Sequence, residues 1–187
     1  MIVPVANSFG SLREFNTCHS QTDGKFCSTG GAAKYKSSGE QDAAEGRIYR
    51  AKPEEFRAAL QRNSRADTLS DYDTQTLSTF RLYLLRGGQA GYAIKPDGEF
   101  VNLFNSGGNA TKGAGPWLVL HAIEKGATHG DHFDGFLTGF YKKLGWNVTK
   151  KEPNWTPGGP DVIFMEWKGD RSTARDRYRR FGSLDAG

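Results

Sequence analysis

Apolar residues fall in short runs separated by glycine-rich breaks, and the spacing within each run changes along the chain. Phe80 to Leu85 alternates, with Arg81 and Tyr83 on one side and Leu82 and Leu84 on the other. Gly87-Gly88 then leads into Gln89 to Ile94, and Pro96-Asp97-Gly98 leads into Glu99 to Phe104. Period-two runs joined by tight glycine turns predict an antiparallel meander. The pattern switches at Pro116. Trp117, Leu118, Val119, Leu120, Ala122 and Ile123 leave only His121, Glu124 and Lys125 polar before Gly126. This predicts a nearly all-buried helix laid across a sheet, stopped by its glycine. A second helix is predicted up to Gly145, with Phe136, Leu137, Phe140, Tyr141 and Leu144 on one face and Lys142 and Lys143 pointing outward. A short strand lies between the two helices, and Asp161 to Trp167 supplies a last one.

Upstream, Arg47 to Ala51 reads as a strand. Pro53 to Leu60 reads as a helix with proline near its first position and Glu54 and Glu55 in its first turn. Phe56, Ala59 and Leu60 share its apolar face. Residues 61–78 are polar and fit either a short helix or a loop. The expected fold class is α+β: a mixed, mostly antiparallel central sheet flanked by helices, spanning residues 47–167. Residues 1–46 are rich in Gly, Ser, Thr, Asn and Gln without sustained periodicity, so they are expected to be a flexible extension. Residues 168–187 form a basic tail.

Composition narrows the function classes. The 187 residues suffice for one ordinary domain plus tails. No apolar run approaches the roughly 18 residues of a membrane span. No charged region followed by an apolar stretch opens the chain, so a secretory signal is not expected and synthesis in the cytoplasm is. Cys18 and Cys27 are the two cysteines; they fit reduced thiols or a disulfide. With His19 they give only three ligands in no closed zinc spacing. The net charge of +4 is uneven, with Arg175, Arg177, Arg179 and Arg180 clustered in the tail. That run fits a solvated terminus, an acidic partner or a phosphate contact. Nucleic acid is not the expected ligand, because the core shows no basic stripe continuing the tail.

The candidate chemistry sits between the meander and the first buried helix. Ser106 to Gly115 is a glycine-rich turn feeding a helix start. Such a turn gathers free backbone N–H groups at the positive end of a helix dipole, an arrangement suited to phosphate. His129, Asp131, His132 and Asp134 cluster further on, but their spacing is too tight for one helix face, and no metal site is predicted.

Lys112-Gly113-Ala114-Gly115 and Tyr141-Lys142-Lys143-Leu144-Gly145-Trp146 carry a family resemblance. The first is similar to the pyrophosphate turn, and the second to the Tyr-x-Lys-Leu-Gly-aromatic element, of the GNAT N-acetyltransferases. The element order over residues 47–167 resembles that family too. The resemblance implies acetyl-CoA as acyl donor, lying where two parallel strands splay apart. Its pantetheine arm would follow Asn102 to Asn105, touching Leu103 and Asn105. Its pyrophosphate would rest on the amides of Lys112, Gly113, Ala114 and Gly115, since Pro116 supplies no N–H. Tyr141 matches the family's general acid. Glu99 is a candidate base facing an amine acceptor, as are His129, Asp131 and His132. Two positions depart from the pattern: Ala110 replaces a polar phosphate ligand, and Asp134 stands where an asparagine beside the cofactor is usual.

Asn16 to Ser28 resembles a short element found near the N-termini of tailed-phage proteins. It implies a phage protein in the host cytoplasm, with residues 1–46 available to contact other virion proteins. The alternative reading is therefore a virion structural or interaction protein with a GNAT-like fold that has lost catalysis.

Overall fold

The computed structural model describes residues 35–63 and 66–170. The elements expected at Cys18, Cys27 and the phage-like segment, and the arginine cluster of the tail, lie outside the described residues.

Four strands form an antiparallel sheet in the order β1-β2-β3-β4: β1 Ile48–Arg50, β2 Arg81–Leu85, β3 Ala90–Ile94 and β4 Phe100–Asn105. The connections are tight because glycines take the left-handed region, with φ of 89° and 67° at Gly87 and Gly88 and 96° at Gly98. A second antiparallel sheet has the order β5-β7-β6, from β5 His129–Phe133, β6 Asn147–Glu152 and β7 Val162–Glu166. The helices are α1 Ser38–Ala44, α2 Pro53–Gln61, α3 Thr74–Leu77, α4 Ala114–Glu124 and α5 Phe136–Lys143. The α+β class of antiparallel sheets flanked by helices is what the chain adopts.

The alternation along β2 and β3 divides the interior into two cores. Tyr83, Tyr92, Ile94 and Phe100 pack with the α4 residues Trp117 to Ile123. Leu82, Leu84, Ala93 and Phe104 pack with Phe56, Ala59 and Leu60 of α2 and with Leu77 of α3. Each fully buried Leu, Ile or Phe contributes about 1.5–3 kcal/mol, so these two faces dominate stability. The polar His121 is accommodated on α4 because the Tyr92 hydroxyl lies 2.6 Å from its Nδ1.

Three expectations change. Residues 38–44, expected to belong to a flexible extension ending at residue 46, form α1, and the compact unit starts at Tyr35. Ser37 caps this helix by accepting from the Glu40 N–H at 2.9 Å. The residues it buries are Gly39, Glu40 and Ala43, which give no apolar periodicity to read. Strand β6 was not expected. Asn-Val-Thr-Lys-Lys-Glu is polar and mostly exposed, and it is a strand because β7 pairs with it. Finally, Phe136 does not share the buried face of α5; it is 83% exposed, and Tyr141 is the residue of that helix that is buried.

The two sheets meet at β4 and β5, each an edge strand of its own sheet. Glu99 and His129 form an isolated parallel bridge, and the Thr128 N–H donates to the Gly98 carbonyl at 3.0 Å. Gly130 allows this approach: a Cβ there would lie 2.7 Å from the Phe100 carbonyl oxygen. Beyond that point no further ladder joins the strands. A bulge in β4 accompanies the separation. Gly91 pairs with Phe104 and Ala93 with Val101, so Asn102 and Leu103 together oppose Tyr92 alone. Asn102 has φ 52°, and its side chain accepts from the Ser70 N–H and donates to the Ser70 carbonyl, both at 2.9 Å. Asparagine tolerates this backbone better than other side chains, and here it also satisfies a loop.

Replacing Asn102 by Ala removes both bonds and leaves a β-carbon in the left-handed region. The expected loss is about 2–4 kcal/mol, measured by urea denaturation. A loss below about 1 kcal/mol would show that the bulge is held by something else.

Candidate active site

Where β4 and β5 part, a small half-open hollow is lined by Phe100, Gly130, Asp131, His132, Tyr141, Trp146 and Met165. β4 contributes Phe100, β5 the run Gly130 to His132, and α5 Tyr141. Trp146 follows the helix, its backbone N–H donating to the Tyr141 carbonyl at 3.1 Å.

Tyr141 is 8% exposed and boxed by aromatic rings, with centroids 5.1 Å from His132, 5.8 Å from Trp146 and 6.4 Å from Phe100. Burial, and then the charge of Asp131, push its phenol well above the ordinary tyrosine range. The group is therefore protonated at every physiological pH. Asp131 is exposed at the rim, yet its carboxyl is raised too, first by partial desolvation against the pocket wall and second by the Glu99 carboxylate, with Lys95 opposing. His132 is lowered by burial, which favours neutral imidazole. Its Nε2 lies 3.0 Å from Thr138 Oγ1, and Thr138 donates onward to Asp134 Oδ1 at 3.1 Å. A hydroxyl that gives its proton to a carboxylate accepts from its other neighbour, so this chain selects the Nε2–H tautomer of His132.

Glu99 stands beside this pocket and does not line it. Its carboxylate takes a 2.8 Å ion pair from Lys95, four residues back across the β3–β4 turn. Asp97, Glu99 and His129 each bring one ligand atom within 4.8 Å of the others, a geometry able to hold a cation. Lys95 already neutralises one of the two carboxylates. Asp134 is paired with Lys151 at 2.8 Å and held below the ordinary carboxylate range mainly by that bond.

The glycine turn ends before the expected Gly115, because α4 takes in Ala114 and Gly115. Gly113 takes φ 88° as the N-cap of α4, which begins at Ala114. Asn105 organises its approach: the side-chain amide donates to the Thr111 carbonyl at 2.9 Å, while Thr111 Oγ1 and the Gly107 N–H donate to Asn105 Oδ1. Asn105 is thus committed to the turn itself. Leu103 is half-buried against the α4 core. Lys112 presents its carbonyl to Ser37 Oγ at 2.7 Å.

Two flanks of the turn escaped sequence reasoning. On one, the Glu40 carboxylate of α1, 6% exposed, lies where a Gly113 Cβ would meet it at 2.6 Å. On the other, the tip of the Phe140 ring of α5 lies 3.7 Å from a Cβ built on Gly115. Neither residue carries a local signal, since both contacts join segments distant in sequence. Among the described residues, no helix is long and apolar enough to cross a membrane.

No family model matches the chain, and no curated protein matches its sequence. Solved structures with a similar course do exist. Ard1 from Thermoplasma volcanium is 16% identical with a TM-score of 0.45, over 63% of this chain and 93% of that one. The ribosomal-protein-S18-alanine N-acetyltransferase from Escherichia coli is 17% identical, also with a TM-score of 0.45, over 66% of this chain and 96% of that one.

Proposed function

We propose that the chain is a GNAT-type N-acyltransferase that moves an acetyl group from acetyl-CoA to an amine. The observation that carries this reading is the parting of two tied edge strands around a pocket holding a buried phenol. An open strand edge offers unpaired backbone groups, to which an extended amide-bearing arm can add as a strand would. The bulged β4, with Leu103 and Asn105, suits the pantetheine arm. The amides of Lys112, Gly113, Ala114 and Gly115 suit the diphosphate at the head of α4.

The chemistry follows from the groups around the pocket. The amine nitrogen attacks the thioester carbonyl carbon, and the carbon–sulfur bond breaks as the amide forms. The ammonium proton passes to a carboxylate, Glu99 or Asp131. The departing thiolate takes the Tyr141 phenol proton. A phenol kept protonated by burial suits an acid, and a carboxylate with a raised pKa suits a base working near neutrality. The Asp131 carboxylate in the pocket lining also favours an amine that is cationic before it loses its proton.

One observation favours a second reading, a GNAT-like structural or interaction protein without catalysis, such as a virion component attached through residues 1–46. The Glu40 carboxylate beside Gly113 puts negative charge next to the diphosphate position. Binding separates the two. Acetyl-CoA at about 100 times its dissociation constant is expected to stabilise the fold by about 2.7 kcal/mol. No thermal shift at millimolar acetyl-CoA, with co-sedimentation on particles that is lost on deleting residues 1–34, which lie before the compact unit, would establish the second reading.

Tyr141→Phe is expected to lower kcat about 100-fold or more while leaving the KM for acetyl-CoA within about threefold, read by steady-state kinetics. An equal loss in both would reduce Tyr141 to packing. Asp131 gives a stability test. Its folded-state pKa is raised, so its contribution is full below the ordinary carboxylate pKa and is lost as pH rises through the raised value. Asp131→Asn should therefore melt above wild type at pH 7, with the gap closing near pH 3. A gap that does not depend on pH would contradict the cause assigned to that shift.

A further inference from the structure

We propose that Phe136 is a stacking platform for the purine base of the acyl donor, so that the site selects donors carrying a nucleotide. The assignment rests on the acyl-CoA reading and adds the part of the donor that the pocket does not reach.

Phe136 opens α5 and is 83% exposed, although the helix has a buried face available to an aromatic residue. Its ring stacks on Phe140, with centroids 6.0 Å apart and planes 27° apart. One face of Phe136 is thus engaged and the other faces solvent. Phe140 is the link to the phosphate turn, since its ring tip lies 3.7 Å from a Cβ built on Gly115 in the first turn of α4. The stacked pair therefore begins where the glycine turn ends. A diphosphate on the first-turn amides carries its nucleoside outward by one ribose, and on this side the next surface is aromatic.

The local charge is compatible. Asp134, two residues before Phe136, has its carboxylate bound by Lys151 at 2.8 Å, so it does not oppose phosphates there. Single exposed apolar residues are ordinary on protein surfaces. What sets Phe136 apart is a ring stacked on Phe140, whose tip reaches the first turn of α4. Base-on-aromatic stacking tolerates any base through its π face, so the ring supplies affinity and the turn supplies position.

Three probes test the idea by calorimetry on the full chain: acetyl-CoA, acetyl-pantetheine and adenosine 3′,5′-bisphosphate. Phe136→Ala is expected to weaken acetyl-CoA and adenosine 3′,5′-bisphosphate about tenfold and to leave acetyl-pantetheine unchanged. Phe136→Trp should keep wild-type affinity for all three. Equal weakening of all three probes by Phe136→Ala, or weakening of none, overturns the platform. If wild type binds acetyl-CoA no better than acetyl-pantetheine, the platform is overturned while the acyl-donor reading stands. If wild type binds none of the three, both fail together.

Discussion

The site depends on two sheet edges being tied at one end and free at the other. The Glu99–His129 bridge and the Thr128–Gly98 bond hold β4 and β5 together, and the missing side chain at Gly130 makes the contact sterically possible. Had the ladder continued, the edges would have closed into one sheet and no pocket would exist. The bulge at Asn102 and Leu103 helps to prevent this, because two residues opposite one bend the strand and increase its twist. The price of that geometry, a left-handed backbone at a residue with a side chain, is offset by the two bonds from Asn102 to the Ser70 peptide.

The electrostatics around the opening are graded. Tyr141 lies deepest and is kept neutral by burial; Asp131 stands between it and Glu99, raised by both burial and its acidic neighbour. Lys95 pairs with Glu99, and Lys151 with Asp134 and Asp161, so the outer acids are compensated. The group left least compensated is the one at the pocket mouth. Groups whose surroundings push them apart in pKa are suited to opposite proton-transfer roles. The Thr138 hydroxyl adds a further constraint by fixing the tautomer of His132 from the Asp134 side.

The glycine turn is held from two directions. Helix α1 lies against it through Ser37, Gly39 and Glu40, where a Cβ on Gly39 would fall 2.7 Å from the Ala110 carbonyl oxygen. Helix α5 reaches it through Phe140. A turn rich in glycine has high conformational entropy when free, so external contacts are needed to fix the direction of its amides. The segment before β1 is therefore part of the site's support, although its composition reads as a linker.

Local sequence determined the elements whose interactions are themselves local. Alternation in Phe80 to Phe104, the glycine turns at 87–88 and 98, and the apolar α4 all follow from side-chain period and backbone freedom within a few residues. The glycine turn and the buried tyrosine were legible for the same reason. Tertiary structure decided the rest. β6 is polar and exists through pairing with β7; α1 buries glycine and alanine, which carry no hydrophobic signal; Phe136 faces water although its spacing matches the buried face. It also decided that Asp134 answers to Lys151 and that Asp131 meets Tyr141. Those partners lie on different elements, and the charge a side chain experiences depends on what folding brings within a few ångströms, which no spacing along the chain encodes.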